Sequence, residues 1–121
     1  MRKILLVDDQ FDIRALVEVT LRGDGVEILQ ASSGEEAVAV ARAEKPALVL
    51  MDVTMPGLLD GLEATRAIKA DPETRACVVI LLTANGQEFD RRRGLEAGAD
   101  AYFTKPFSPL ALMECIESHL D

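Results

Sequence analysis

Ile4-Leu5-Leu6-Val7-Asp8-Asp9 is a short unbroken apolar run that ends in two adjacent carboxylates. It shows no alternation of apolar and polar residues, so it reads as a strand covered on both faces, the kind found inside a parallel sheet. The pattern returns twice downstream. Ala47-Leu48-Val49-Leu50-Met51 runs into Asp52, and Val78-Val79-Ile80-Leu81-Leu82 runs into Thr83. Two further stretches are weaker versions. Val26-Glu27-Ile28-Leu29-Gln30-Ala31 is mixed, and Ala101-Tyr102-Phe103-Thr104 is short and leads into Lys105. Both suit strands at the edge of a sheet.

The intervening segments carry helical spacing. Ile13, Leu16, Val17 and Leu21 mark the first, ended by Gly23 or Gly25. Ala37, Val40 and Ala41 mark the second, with Ser33 as N-cap and Glu36 as its capping-box partner. Ala64, Ala67 and Ile68 mark a third that stops near Asp71-Pro72, and a fourth covers roughly Gln87 to Ala97, closed by Gly98. Leu112, Cys115, Ile116 and Leu120 mark the fifth, with Ser108 as N-cap and Pro109 in first position. The order is therefore strand then helix, five times over. It predicts an α/β fold: a doubly wound, five-stranded parallel sheet in a flavodoxin-like three-layer sandwich. Strand order 2-1-3-4-5 puts the second and fifth strands at the edges, which agrees with their composition. Residues 1–121 read as one domain, with no output domain attached.

Composition narrows the function. Nearly half the residues are hydrophobic (49%) and only Tyr102 and four Phe are aromatic, so the core is aliphatic and the chain is not disordered. The net charge of −8 is unsuited to the phosphate backbone of nucleic acid. No apolar run is long enough for a membrane span. Cys77 and Cys115 match no metal-ligand spacing, and no signal peptide precedes the first strand, so a reducing, cytoplasmic setting is expected.

The topology brings the strand ends together. Asp8 and Asp9 follow the first strand, Asp52 the third, Thr83 the fourth and Lys105 the fifth. In such sheets the site lies at the carboxyl ends of the strands, where the strand order reverses between strands one and three. Three carboxylates at that point repel one another, and a divalent cation removes the conflict. Hard oxygen ligands favour Mg²⁺ or Mn²⁺ over zinc. With a cation present, Asp52 can act as a nucleophile toward a phosphoryl group and form an aspartyl phosphate. Lys105 offers a point charge and Thr83 a hydroxyl donor to the phosphoryl oxygens.

The matching pieces are Leu5-Leu6-Val7-Asp8-Asp9, Asp52-Val53-Thr54-Met55-Pro56-Gly57, Leu82-Thr83-Ala84, Gly98-Ala99-Asp100-Ala101-Tyr102 and Thr104-Lys105-Pro106-Phe107. In that order and spacing, over the whole chain, they resemble the receiver domains of bacterial response regulators, the chemotaxis-regulator-like family. The resemblance implies a phosphorylation-dependent switch of a two-component phosphorelay, with Asp52 as phosphoacceptor. It implies that Asp9 and Asp52 ligate Mg²⁺ directly, Thr54 through its backbone carbonyl and Asp8 largely through water. Lys105 would bridge to the phosphoryl group, and Thr83 would turn inward to bond it. Tyr102 would follow Thr83 and alter the face made by the fourth helix, fifth strand and fifth helix. The implied partners are a sensor histidine kinase or histidine phosphotransfer domain, and a downstream protein or missing output domain. A homodimer through the same face is a further candidate. The chain would promote only its own phosphorylation and dephosphorylation. By the same resemblance, Thr54 and Asn85 influence how fast the phosphoryl group is lost, and Lys105-Pro106 corresponds to a cis peptide.

One departure stands out. The family pattern is Asp-x-x-Met-Pro-x-x-Asp-Gly, whereas Asp60-Gly61 comes one residue late here, after Gly57-Leu58-Leu59. The expectation is an altered loop into the third helix with Leu58 or Leu59 exposed, and a candidate partner contact there. Plainer readings compete at single positions. Asp8-Asp9 alone would suit a helix cap, and His119 reads as a structural residue helped by the helix dipole. Arg91-Arg92-Arg93 reads as a solvated helix face, with a dimer or docking surface as the alternative. A magnesium-dependent phosphatase would need Asp-x-Asp where the chain has Asp52-Val53-Thr54. A flavin carrier would need a phosphate loop where Asp8-Asp9 would repel it. The remaining alternative is a degenerate receiver that serves as a partner-binding scaffold.

Overall fold

The computed structural model describes residues 2–23, 25–53, 59–84, 88–105 and 108–120, with backbone alone at 83, 84, 88–91, 105 and 109. Strands and helices alternate along the chain: β1 (Arg2–Val7), α1 (Phe11–Leu21), β2 (Val26–Ala31), α2 (Gly34–Glu44), β3 (Leu48–Asp52), α3 (Gly61–Ala70), β4 (Val78–Ala84), α4 (Glu88–Glu96), β5 (Ala101–Lys105) and α5 (Pro109–Leu120). The strands form one parallel sheet in the order β2-β1-β3-β4-β5. Fold class and strand order match the reading of the sequence.

The unbroken apolar runs hide a period of two. Leu5, Val7, Val49, Met51, Val79 and Leu81 pack on one side of the sheet with Ala37, Val38 and Ala41 of α2 and Leu62, Ala64 and Ile68 of α3. Ile4, Leu6, Leu48, Leu50, Ile80 and Leu82 pack on the other with Val17 and Leu21 of α1 and Leu112 and Ile116 of α5. Each such side chain, fully buried, contributes roughly 1.5–3 kcal/mol, so the central strands are the anchor of the fold. The edge strand β2 is only partly covered, with Glu27 and Gln30 exposed.

Some local expectations change. In α1 the buried line is Val17 and Leu21 with Ile13 packed against it, while Leu16 is exposed, as are Phe11 and Val19. That helix ends at Leu21 with Arg22 as its C-cap, one residue before Gly23. At α2, Ser33 accepts the Glu36 amide as expected of an N-cap. The Glu36 carboxylate, however, reaches back to the Ser32 amide (2.7 Å), not that of Ser33. The reciprocal capping box occurs at α3, where Asp60 accepts from the Glu63 amide (2.8 Å) and Glu63 from the Asp60 amide (3.2 Å). Both cysteines are free thiols, and burial pushes each upward from its ordinary pKa. His119 sits part-buried over the Cys115 carbonyl at 2.8 Å, in keeping with a structural role.

Candidate functional site

Asp8 is the residue after β1, and Asp52 is the last residue of β3. Val7 stands opposite Met51 in the register of these neighbouring strands. The next residues, Asp8 and Asp52, are therefore carried side by side, at about the 4.8 Å spacing of adjacent strands. β1 and β3 flank the point where the strand order reverses, the place where doubly wound sheets open a crevice.

Asp8 and Asp52 are buried, at 3% and 8% exposure, and Asp9 beside them is exposed. One carboxylate oxygen from each of the three lies within 4.8 Å of the others. Two like charges about 4 Å apart repel by roughly 4 kcal/mol at an effective dielectric of 20. An all-oxygen, acidic set of this kind suits a hard divalent cation. Around Mg²⁺, ligand oxygens stand about 3 Å apart when adjacent and about 4 Å when opposite, which is the scale of this cluster. Asp9 is the solvent-exposed member of the three.

Backbone contacts fix the Asp8 carboxylate and the main chain around Asp52. Asp8 Oδ1 accepts the Gln10 amide at 2.9 Å, which orients that side chain. Neither Asp8 nor Asp9 caps α1; Gln10 holds that place, without a side-chain cap. Asp52 is held by its strand, and the next residue, Val53, donates to the Leu82 carbonyl at 3.0 Å. Gly61 then packs directly on the Asp52 carbonyl, where a Cβ would collide with it. The Gly61 amide also donates to Val53 O at 2.9 Å. The chain thus leaves β3 and returns against it within nine residues, Val53 to Gly61, and a glycine is required at the return.

Thr83 follows Leu82, the residue paired with Asp52, and Thr83 pairs with Thr104 and Ala84 with Lys105. The backbones of Thr83 and Lys105 therefore reach the same sheet edge as Asp52. Their side chains lie outside the described residues, as do Thr54, Leu58, Asn85 and the Lys105-Pro106 peptide. Tyr102 is part-buried on β5, opposite Leu81. Leu59 is part-buried and packs against the core on the α2 and α3 side, while Leu58, the other residue of that expectation, lies outside the described residues. Arg92 and Arg93 are exposed on α4. Two contributors were missed from sequence, Gly34 and Glu35 of α2, which touch the segment returning from Asp52. Nothing in their spacing signalled it, because the contact is between elements.

Comparison with known proteins gives the arrangement a family. The family model described as response regulator receiver domain matches residues 4–117. The alkaline phosphatase synthesis transcriptional regulatory protein PhoP of Bacillus subtilis is 44% identical over 108 residues, covering 89% of this chain and 44% of PhoP. Protein PilH of Pseudomonas aeruginosa is 42% identical over 120 residues, covering 99% of this chain and 98% of PilH. The chain thus spans about half the length of several curated relatives and nearly all of PilH. A crystal structure of the receiver domain of sensor histidine kinase PA1611 from Pseudomonas aeruginosa PAO1 superposes with a TM-score of 0.89 at 34% identity, covering 98% of this chain and 97% of that one. That structure has a magnesium ion coordinated in its active site cleft. No helix among the described residues is long and apolar enough to cross a membrane. Sheet order, the paired strand-end carboxylates and these matches over nearly the full length agree, and the chain belongs to the response regulator receiver domain family.

Proposed function

We propose that the chain is a phosphorylation-dependent switch that accepts a phosphoryl group on Asp52 from a phosphohistidine of a sensor histidine kinase or histidine phosphotransfer domain. The observation that carries this is the buried Asp52 carboxylate at the strand-order reversal, within 4.8 Å of the carboxylates of Asp8 and Asp9. In the reaction an Asp52 oxygen attacks phosphorus, the phosphorus–nitrogen bond breaks and the imidazole keeps the bonding pair. The product is a β-acyl phosphate on Asp52. A bound Mg²⁺ or Mn²⁺ supplies the positive charge that offsets the three carboxylates and the phosphoryl oxygens. Asp9 and Asp52 would hold the ion directly, Thr54 would add its carbonyl and Asp8 would act largely through water, with the Asp8 carboxylate oriented by the Gln10 amide. Lys105 neutralises one phosphoryl oxygen and Thr83 donates a hydrogen bond to another. Thr83 and Tyr102 then carry the change to the face of α4, β5 and α5, where a downstream protein, an output domain or a second copy reads it. The chain acts on itself, not on a turnover substrate, and works in the cytoplasm.

Incubation with a histidine kinase carrying radiolabelled phosphohistidine tests this. Label passes to the wild-type chain in Mg²⁺, is lost in mild alkali as an acyl phosphate is, and does not pass to Asp52→Asn. Label on the Asp52→Asn protein would contradict the assignment of the acceptor.

A further inference from the structure

The segment that returns from Asp52 to α3 carries the one residue that departs from the family pattern, and its returning limb is fixed amide by amide. The Leu59 amide donates to Glu35 Oε1 at 3.3 Å, the Asp60 amide to Glu63 Oε1 at 3.2 Å and the Gly61 amide to Val53 O at 2.9 Å. The last two bonds are local, made within the segment and the first turn of α3. The first comes from a different element, the N-terminal turn of α2, twenty-four residues away in sequence. Approach is close: a Cβ on Gly34, the first residue of α2, would collide with the Leu59 carbonyl. Leu59 itself packs into the core between α2 and α3. Two residues beyond Leu59, Gly61 bears on the Asp52 carbonyl. A continuous path of contacts therefore leads from the Glu35 carboxylate, through Leu59 and Gly61, to the backbone of Asp52.

We infer that Glu35 is a positioning residue for the phosphorylation site: its carboxylate anchors the lengthened segment at Leu59 and so holds Asp52 in register with Asp8 and Asp9 for the cation. The extra residue adds one more backbone amide, and a carboxylate from α2 receives an amide of that limb. The inference rests on the proposed function, because the effect it names is on the cation that supports phosphorylation. Partners that orient metal ligands typically alter affinity by about 10–100-fold when removed. Here the path runs through backbone, so the lower end applies.

Two mild substitutions separate reach from charge. Glu35→Gln keeps an oxygen at the same reach and loses the charge. Glu35→Asp keeps the charge and withdraws it by one methylene. Mg²⁺ alone is titrated by calorimetry into each folded protein, and thermal unfolding is recorded in Mg²⁺ and in chelator. Glu35→Gln is expected to bind Mg²⁺ within about twofold of wild type and Glu35→Asp about tenfold more weakly, with a smaller Mg²⁺-induced rise in melting temperature. Equal binding by Glu35→Asp and wild type overturns the inference. So does equal weakening in both variants, which would make charge the cause. A lower melting temperature for Glu35→Asp with an unchanged Mg²⁺-induced rise also overturns it, because the role would then be structural. If the wild-type chain does not bind Mg²⁺, the proposed function fails first; if it binds and Glu35→Asp matches it, only the role of Glu35 fails.

Discussion

Gly61 shows how one residue can matter twice. It begins α3 and it lies on the carbonyl of Asp52, leaving no space for a methyl group. Because the obstacle is backbone, neither side can move aside cheaply. Gly61→Ala is expected to lower stability by about 1–3 kcal/mol, the usual cost of overpacking, measured by urea unfolding. The folded fraction should also phosphorylate more slowly, since the strain falls on Asp52. Stability within about 0.5 kcal/mol of wild type would show that the contact relaxes. At this scale the sequence was partly legible. Acidic residues at the ends of apolar runs identified Asp8, Asp9 and Asp52, and the structure brings their carboxylates together. Gly61 was visible as a letter of a pattern but not for its reason, because a close approach between backbones leaves no mark on composition. Glu35 was invisible for a similar reason: its partner is an amide, which every residue except proline carries.

Elements depend on their ends. The capping box of Asp60 and Glu63 satisfies two amides at the start of α3, the helix whose first residue meets Asp52. Asp60→Ala should cost about 1 kcal/mol, seen as a lower urea midpoint with an unchanged slope. A variant as stable as wild type would mean that the cap contributes nothing. Asp71 ties the end of α3 to α2. Its carboxyl is held below its ordinary pKa first by the Glu73 amide; burial opposes this, and the Arg42 guanidinium and the Lys45 ammonium add to the lowering. A carboxyl depressed in the folded state stabilises above its unfolded pKa and loses that contribution as pH falls through the folded value. Wild type should therefore lose stability from about pH 4 downward more steeply than Asp71→Asn, and parallel curves for the two would contradict the assignment. Element types and order were legible because the central runs were unbroken and purely apolar. Helix faces were less so. Leu16 fits an apolar stripe by spacing yet faces outward, since Ile13, Val17 and Leu21 already fill the contact with the sheet. Ser33 and Glu36 read as a capping box and form only half of one, whereas the complete box lies at Asp60 and Glu63, which the reading of the sequence passed over.

The whole molecule is a rigid sheet with an electrostatic conflict at one edge. Leu5 and Leu6, neighbours in one run, go to opposite cores, and this division repeats in β3 and β4. The far end of the sheet is pinned by Lys69, whose Nζ lies 2.7 Å from Asp100 Oδ2 and donates to Cys77 O at 2.6 Å. Asp100 also accepts the Val79 amide at 2.8 Å, so the sheet is tied at the end opposite the carboxylates. Asp8 and Asp52, buried side by side at the ends of neighbouring strands with Asp9 close by, have little freedom to separate, which predicts that the site itself lowers stability without a cation. In chelator, Asp52→Asn should unfold at higher temperature than wild type. At Mg²⁺ about 100-fold above its dissociation constant, wild type should gain about 2.7 kcal/mol and the variant much less. Equal responses would place the ion elsewhere. The central claim, that Asp52 accepts a phosphoryl group, is tested most directly by intact mass after incubation with Mg²⁺ and acetyl phosphate. The account predicts a gain of one phosphoryl group in wild type and none in Asp52→Asn or in chelator. A folded, Mg²⁺-binding wild-type chain that gains no mass, or an Asp52→Asn chain that gains the same mass, would contradict it.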